Sequence, residues 1–200
     1  SAATSSLNES SETTVLEEEN DSQEVILSLN LLNGPGHQEG SIFTDTTFST
    51  GSLHTCAILD DGSLNCWGRN NYGQLGDGGT NIDKDTPVSV SLGNGRTAVA
   101  VSAGDYHTCA ILDDGSLKCW GLDNYGQLGD GGTNTEEDTP VSVSLGNGRT
   151  AVAVSAGGYH TCAILDDGSL NCWGNNSFGQ LGDGGTNTEE DTPVSVSLGN

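Results

Sequence analysis

Along residues 46–200, apolar positions recur in short alternating stretches. Thr97–Ala103 (TAVAVSA) alternates β-branched and small residues. Tyr106–Leu112 (YHTCAIL) and Ser116–Gly121 (SLKCWG) follow after turns rich in Gly and Asp, and Val141–Leu145 (VSVSL) follows Pro140. Runs of this length between turn residues predict strands, and none has the 3.6-residue period of a helix. Four short strands in succession predict an all-β unit with the dimensions of one propeller blade.

The unit recurs. Cys56, Cys109 and Cys162 are spaced by 53 residues, as are Cys66, Cys119 and Cys172, and Trp67, Trp120 and Trp173. Arg96–Asn147 and Arg149–Asn200 agree at 46 of 52 paired positions, differing only at 105/158, 118/171 and 122–125/175–178. A fixed period of this length is the sequence form of a repeat architecture. Residues 1–24 lack it and carry Ser, Thr, Asn and Glu with no basic residue, which predicts an acidic disordered linker. Val25–Leu32 (VILSLNLL) stands where the fourth strand of a preceding blade would stand, so residues 25–45 are expected to be that strand and its loop. Residues 46–200 then hold three repeats. Because the last copy stops at Asn200, where earlier copies continue Gly-Arg-Thr-Ala-Val, it is expected to be truncated and the chain a fragment.

Composition narrows the function. The chain has 28 acidic and 5 basic side chains, a formal net charge of −23. Nucleic acid is thereby excluded as a direct partner, since phosphate backbones are held by clustered Lys and Arg. The longest apolar run falls well short of the ~20 residues that span a bilayer, so no membrane insertion is expected in this segment.

The hairpin arithmetic places the cysteines. In HTCAILDDGSLKCW, Leu112 and Ser116 flank Asp113-Asp114-Gly115, a loop suited to a type I turn closed by Gly in the left-handed region. Counting outward, Cys109 faces Cys119 across a non-hydrogen-bonded pair, where side chains approach closely. The expected disulfides are Cys56–Cys66, Cys109–Cys119 and Cys162–Cys172, which implies an oxidising compartment. The alternative is six buried thiols in a reducing one. Zinc is disfavoured, because two thiols per blade lack knuckle spacing.

The stretch AGDYHTCAILDDGSLKCWGLDNYGQLGDG (Ala103–Gly131) resembles the repeat of the regulator-of-chromosome-condensation family. The shared elements are the openings His54-Thr55, His107-Thr108 and His160-Thr161, and the hairpins ending Asp61-Gly62, Asp114-Gly115 and Asp167-Gly168. The Trp-Gly pairs and the loops Gly73–Gly76, Gly126–Gly129 and Gly179–Gly182 complete the set. The resemblance implies a seven-bladed propeller of roughly 370 residues, of which this chain supplies about three four-stranded blades; the remaining blades would be its first partners. The paired cysteines resemble the prokaryotic and surface-exposed branch of the family.

Candidate chemistry is weighed on that frame. His54, His107 and His160 could converge on a channel and ligate metal, but the resemblance implies a structural role, tying a strand to a neighbouring loop. Trp67, Trp120 and Trp173 are expected to fill the space between blades. Carboxylates in the Gly-containing loop (Asp130, Asn134, Glu136, Asp138) are a conceivable Ca²⁺ set, though their spacing matches neither an EF-hand nor a β-roll; the plainer expectation is a solvated acidic face and no metal. The variable loops, Arg69, Asn70, Asn71 and Tyr72, then Leu122, Asp123, Asn124 and Tyr125, then Asn175, Asn176, Ser177 and Phe178, are how a fixed scaffold carries binding specificity. No catalytic motif is present and no cofactor is expected. The expected function is a non-catalytic protein-binding segment, extracellular or on the cell surface. The alternatives are a cytoplasmic guanine-nucleotide exchange factor or chromatin-type regulator, as the family name suggests, and a secreted enzyme inhibitor or accessory domain of an enzyme.

Overall fold

A computed structural model describes residues 48–199 except 80, 94, 133 and 147. The expected linker (1–24) and the strand and loop at 25–45 lie outside the described residues. Twelve strands follow in chain order: β1 (Phe48–Thr50), β2 (His54–Ile58), β3 (Leu64–Gly68) and β4 (Lys84–Ser89); β5 (Ala98–Ala103), β6 (His107–Leu112), β7 (Leu117–Leu122) and β8 (Glu136–Ser142); β9 (Ala151–Ala156), β10 (His160–Leu165), β11 (Leu170–Asn175) and β12 (Glu189–Ser195). They form three antiparallel sheets of four strands, each joined in sequence order. The chain is an all-β, partial propeller of three blades. Among the described residues no helix is long and apolar enough to cross a membrane.

The central hairpin of each blade has the expected register. Leu112 N–H donates to the Ser116 carbonyl at 2.9 Å, and Gly115 closes the loop at φ 77°. That register sets Cys109 opposite Cys119, as it sets Cys56 opposite Cys66 and Cys162 opposite Cys172. All three pairs are disulfide-bonded, with Cα atoms 4.0 Å apart.

The fourth strand departs from expectation. β8 covers Glu136–Ser142, whereas the alternating VSVSL run pointed to Val141–Leu145. Its pairing jumps from Cys119↔Val141 to Gly121↔Glu137, so Asp138, Thr139 and Pro140 bulge opposite Trp120. An outer edge strand tolerates this, because its free side faces water. Proline needs no donor there and the carboxylates stay solvated.

The apolar core lies between blades. One cluster joins Cys56, Cys66, Leu64 and Leu75 of the first blade to Ala98, Val101, Leu112 and Trp120 of the second. The next joins Cys109, Cys119, Leu117 and Leu128 to Ala151, Ala163, Leu165 and Trp173. The Cys56–Cys66 and Cys109–Cys119 disulfides are therefore each covered by the following blade's tryptophan. Trp120 and Trp173 are fully buried, while Trp67 of the first blade is half-buried. The first strand of each later blade packs against the first two strands of the blade before it.

Candidate partner-binding face

The loop joining the third and fourth strands is built from its glycines and two buried polar side chains. In the first blade the Asn70 carboxamide oxygen accepts from Leu75 N–H at 3.0 Å, and Asn70 N–H donates to Asp83 at 2.8 Å. Tyr72 N–H donates to the Gln74 side chain at 2.9 Å, and Gly76 N–H closes on the Gly73 carbonyl. The second blade repeats the pattern, with Asp123 receiving Leu128 N–H and Gln127 receiving Tyr125 N–H.

A polar latch fixes this loop to the next blade. The Gln74 carbonyl accepts two donors from across the boundary, Thr108 Oγ1–H at 2.8 Å and Trp120 Nε1–H at 2.9 Å. Thr108 has spent its single proton on that carbonyl, so it accepts from His54 Nε2–H at 2.7 Å. His54 is therefore the neutral Nε2–H tautomer. Gln127, Thr161, Trp173 and His107 repeat the latch at the second boundary. Burial holds His54 down to about 4, and burial with the neighbouring His54 and His160 holds His107 down to about 3. Gly76 must be glycine twice over. Its φ is +68°, and a Cβ there would stand 2.6 Å from Trp120 Nε1.

The arrangement is a set of loop tips held rigidly on one face. Two descriptions of a single repeat match the chain, at residues 61–111, 114–164 and 167–200 and at 46–74, 98–127 and 151–180, both given as the regulator of chromosome condensation (RCC1) repeat. The chain belongs to this family. It is 32% identical over 149 residues to the human E3 ubiquitin-protein ligase HERC2, covering 74% of this chain and 3% of that protein. It is 36% identical over 148 residues to the ultraviolet-B receptor UVR8 of Arabidopsis thaliana, covering 74% of this chain and 33% of the receptor. The chain thus spans a third or less of these relatives. Among solved structures, Prp20p of Saccharomyces cerevisiae matches with a TM-score of 0.67 at 21% identity, over 75% of this chain and 37% of Prp20p. Human WBSCR16 matches with a TM-score of 0.66 at 25% identity, again over 75% of this chain and 37% of the other.

Within this RCC1-type frame the twelve variable loop residues divide. Asn70, Asp123, Asn176 and Leu122 are buried, which corrects their assignment to a partner face. The first three hold the loop from inside, and Leu122 belongs to β7, paired with Glu136. Arg69 and Asn175 are half-buried; Asn175 Oδ1 accepts from Gln180 Nε2 at 2.7 Å, a partner that Gln74 and Gln127 lack. Asn71, Asn124 and Ser177 are exposed, Tyr72 and Tyr125 are partly so, and Phe178 is 94% exposed.

The conceivable Ca²⁺ set is not brought together. Asp130 turns back on Gly132 N–H, Asn134 bonds Glu137, Glu136 bonds Asn81 of the first blade, and Asp138 lies against Gly73. Among the described residues no three such groups are placed to hold a metal. The reading from sequence names Thr108 and Thr161, whose hydroxyls stand at the centre of the latch, only as parts of the His-Thr openings, and gives no role to Tyr106 and Tyr159 beside the loop tips. The signal for the tyrosines was their place directly before His107 and His160, where the first copy has Leu53.

Proposed function

We propose that the chain is a non-catalytic protein-binding scaffold working in an oxidising setting, at the cell surface or outside the cell. One observation carries the reading. A near-identical frame presents two outward residues at each loop tip, Asn71–Tyr72 and Asn124–Tyr125 in the first two blades and Ser177–Phe178 in the third, so that every tip keeps an aromatic ring while the third copy changes both residues. Fixed support with variable tips is the arrangement by which loops confer specificity. The neighbour Prp20p is described by its binding to Gsp1p and histones, which supports protein binding as a use of this fold. Three disulfides favour the oxidising compartment.

The test places a photo-crosslinking residue at Asn124 or Ser177 and identifies what is captured from the native source. Saturable capture is expected. It should be lost when the other residues among 71–72, 124–125 and 177–178 are replaced by Gly or Ser, the crosslinking residue itself being kept, while the melting temperature is retained. Capture that survives the replacement overturns the assignment of the face. Six free thiols in protein isolated from its native source without reductant would exclude the oxidising setting.

A further inference from the structure

The partner-binding reading leaves the partner's chemistry open, and the face itself narrows it. Tyr72 meets Tyr106 of the next blade edge-on, with ring centroids 5.7 Å apart and planes at 89°. Tyr106 lies against Tyr159 at 5.2 Å, and Tyr125 meets Tyr159 edge-on at 5.4 Å. Four tyrosines from three blades thus form one band beside the loop tips. Tyr159 is 39% exposed, and Phe178, one blade on from Tyr125, leaves nearly its whole ring in water.

Carboxylates rim this band. Asp105 directly precedes Tyr106, and its Oδ2 would be 3.0 Å from a Cβ on Gly158, directly before Tyr159. Asp138 closes on Gly73, next to Tyr72, and Asp191 closes on Gly126, next to Tyr125. None of the three carboxylates is among the ion pairs formed between described residues, which engage Asp77, Asp113, Asp114, Asp166 and Asp167. Asp138 Oδ1 is moreover buried with no hydrogen-bond partner. Arg69 is the one basic residue among the twelve loop positions. Aromatic rings beside unneutralised carboxylates suit a cation, because the ring face and the carboxylate attract it together.

We propose that the band formed by Tyr72, Tyr106, Tyr125 and Tyr159 receives Lys or Arg side chains from a basic segment of the partner protein, with the exposed Asp105 and Asp191 accepting their N–H groups and the half-buried Asp138 adding to the negative charge beneath them. This rests on the partner-binding reading and specifies it.

The test titrates the full chain into a fluorescein-labelled synthetic peptide of alternating Arg, Lys, Gly and Ser, read by fluorescence anisotropy in 150 mM NaCl, beside a Glu-for-Lys/Arg peptide. The basic peptide is expected to bind and the acidic one not. Tyr159→Leu and Tyr106→Leu, which keep an apolar side chain but remove the ring, should each weaken binding about three- to fivefold. Asp105→Asn, at an exposed position, should also weaken it with the melting temperature unchanged. Absence of binding, or binding that none of the three variants alters, overturns the proposal; the second result leaves only diffuse attraction to an acidic protein. If crosslinking at Asn124 meanwhile captures a partner without basic segments, the scaffold reading stands and the cationic one fails.

Discussion

At the scale of single residues, one hydroxyl and one carboxyl carry the sharpest expectations. Thr108 donates to Gln74 and accepts from His54, so Thr108→Val strands a buried imidazole N–H. Leaving such a donor unpaired costs about 1–3 kcal/mol, to be read from urea unfolding. Thr55→Val, at the half-buried first-blade position, should cost less than the Thr108 change. Asp123 stands where the other blades have Asn, whose Nδ2 donates to Asp77 at 3.4 Å and to Asp183 at 3.2 Å. A carboxylate cannot donate. Burial, and then the charges of Asp130, Asp191 and Glu137, push Asp123 up to about 7, with only Leu128 N–H opposing. An acid whose pKa is raised by folding contributes stability that is complete below its ordinary value near 3.8 and lost as pH rises towards 7. His54 and His107 act in the opposite sense, being neutral in the fold and losing stability as pH falls below 6.5. The difference between wild type and Asp123→Asn isolates the carboxyl. From pH 5 to pH 8 wild type should lose on the order of 1 kcal/mol relative to the variant, and parallel curves would show that Asp123 does not titrate in this range.

At the scale of elements, covering by the next blade should set how readily each hairpin staple is reduced. Cys56, Cys66, Cys109 and Cys119 are fully buried in the inter-blade cores, whereas Cys162 is half-buried on the third blade. A graded reductant series followed by alkylation and mass mapping should open Cys162–Cys172 first; simultaneous opening of all three would mean that blade packing does not protect them. Each link closes a short loop, worth roughly 2–3 kcal/mol. These hairpins were legible in the sequence because a three-residue loop ending in Gly fixes the register residue by residue. The outer strands were not. Glu136, Glu137 and Asp138 have loop composition, and only their position on a solvated edge, where a bulge absorbs Pro140, allows them to pair with β7. The face was half legible for a related reason. Variation between copies marked the loops. It did not separate Asn70, Asp123 and Asn176, which vary while buried, from their exposed neighbours, since burial there depends on a backbone turn that curls the loop over its own second residue.

At the scale of the whole molecule the charge is unbalanced in a way that local pairing does not offset. From residue 51 onward the chain carries 19 acidic against 5 basic side chains. Arg96 and Arg149 each bridge two hairpin aspartates, and Lys84 reaches Asp77 at 3.5 Å. The arginine pairs are largely exposed and each contributes at most about 1 kcal/mol. Most of the remaining carboxylates sit on β4, β8, β12 and the loops before them, where successive blades repeat the same sign at the same place. Salt therefore acts on two opposed terms. It weakens the few attractive pairs slightly, and it screens a larger number of repulsions as the Debye length shortens to ~10 Å at 0.1 M. Repulsion should dominate. Raising NaCl from 10 to 300 mM should lift the melting temperature by about 2–4 °C, the shift that roughly 1 kcal/mol produces in a domain of this size. Replacing Glu136, Glu137, Glu189 and Glu190 together by Gln should raise the low-salt melting temperature and flatten the salt response. A melting temperature that falls with NaCl would instead assign the balance to the arginine pairs, and the Gln variant would then show no gain at low salt.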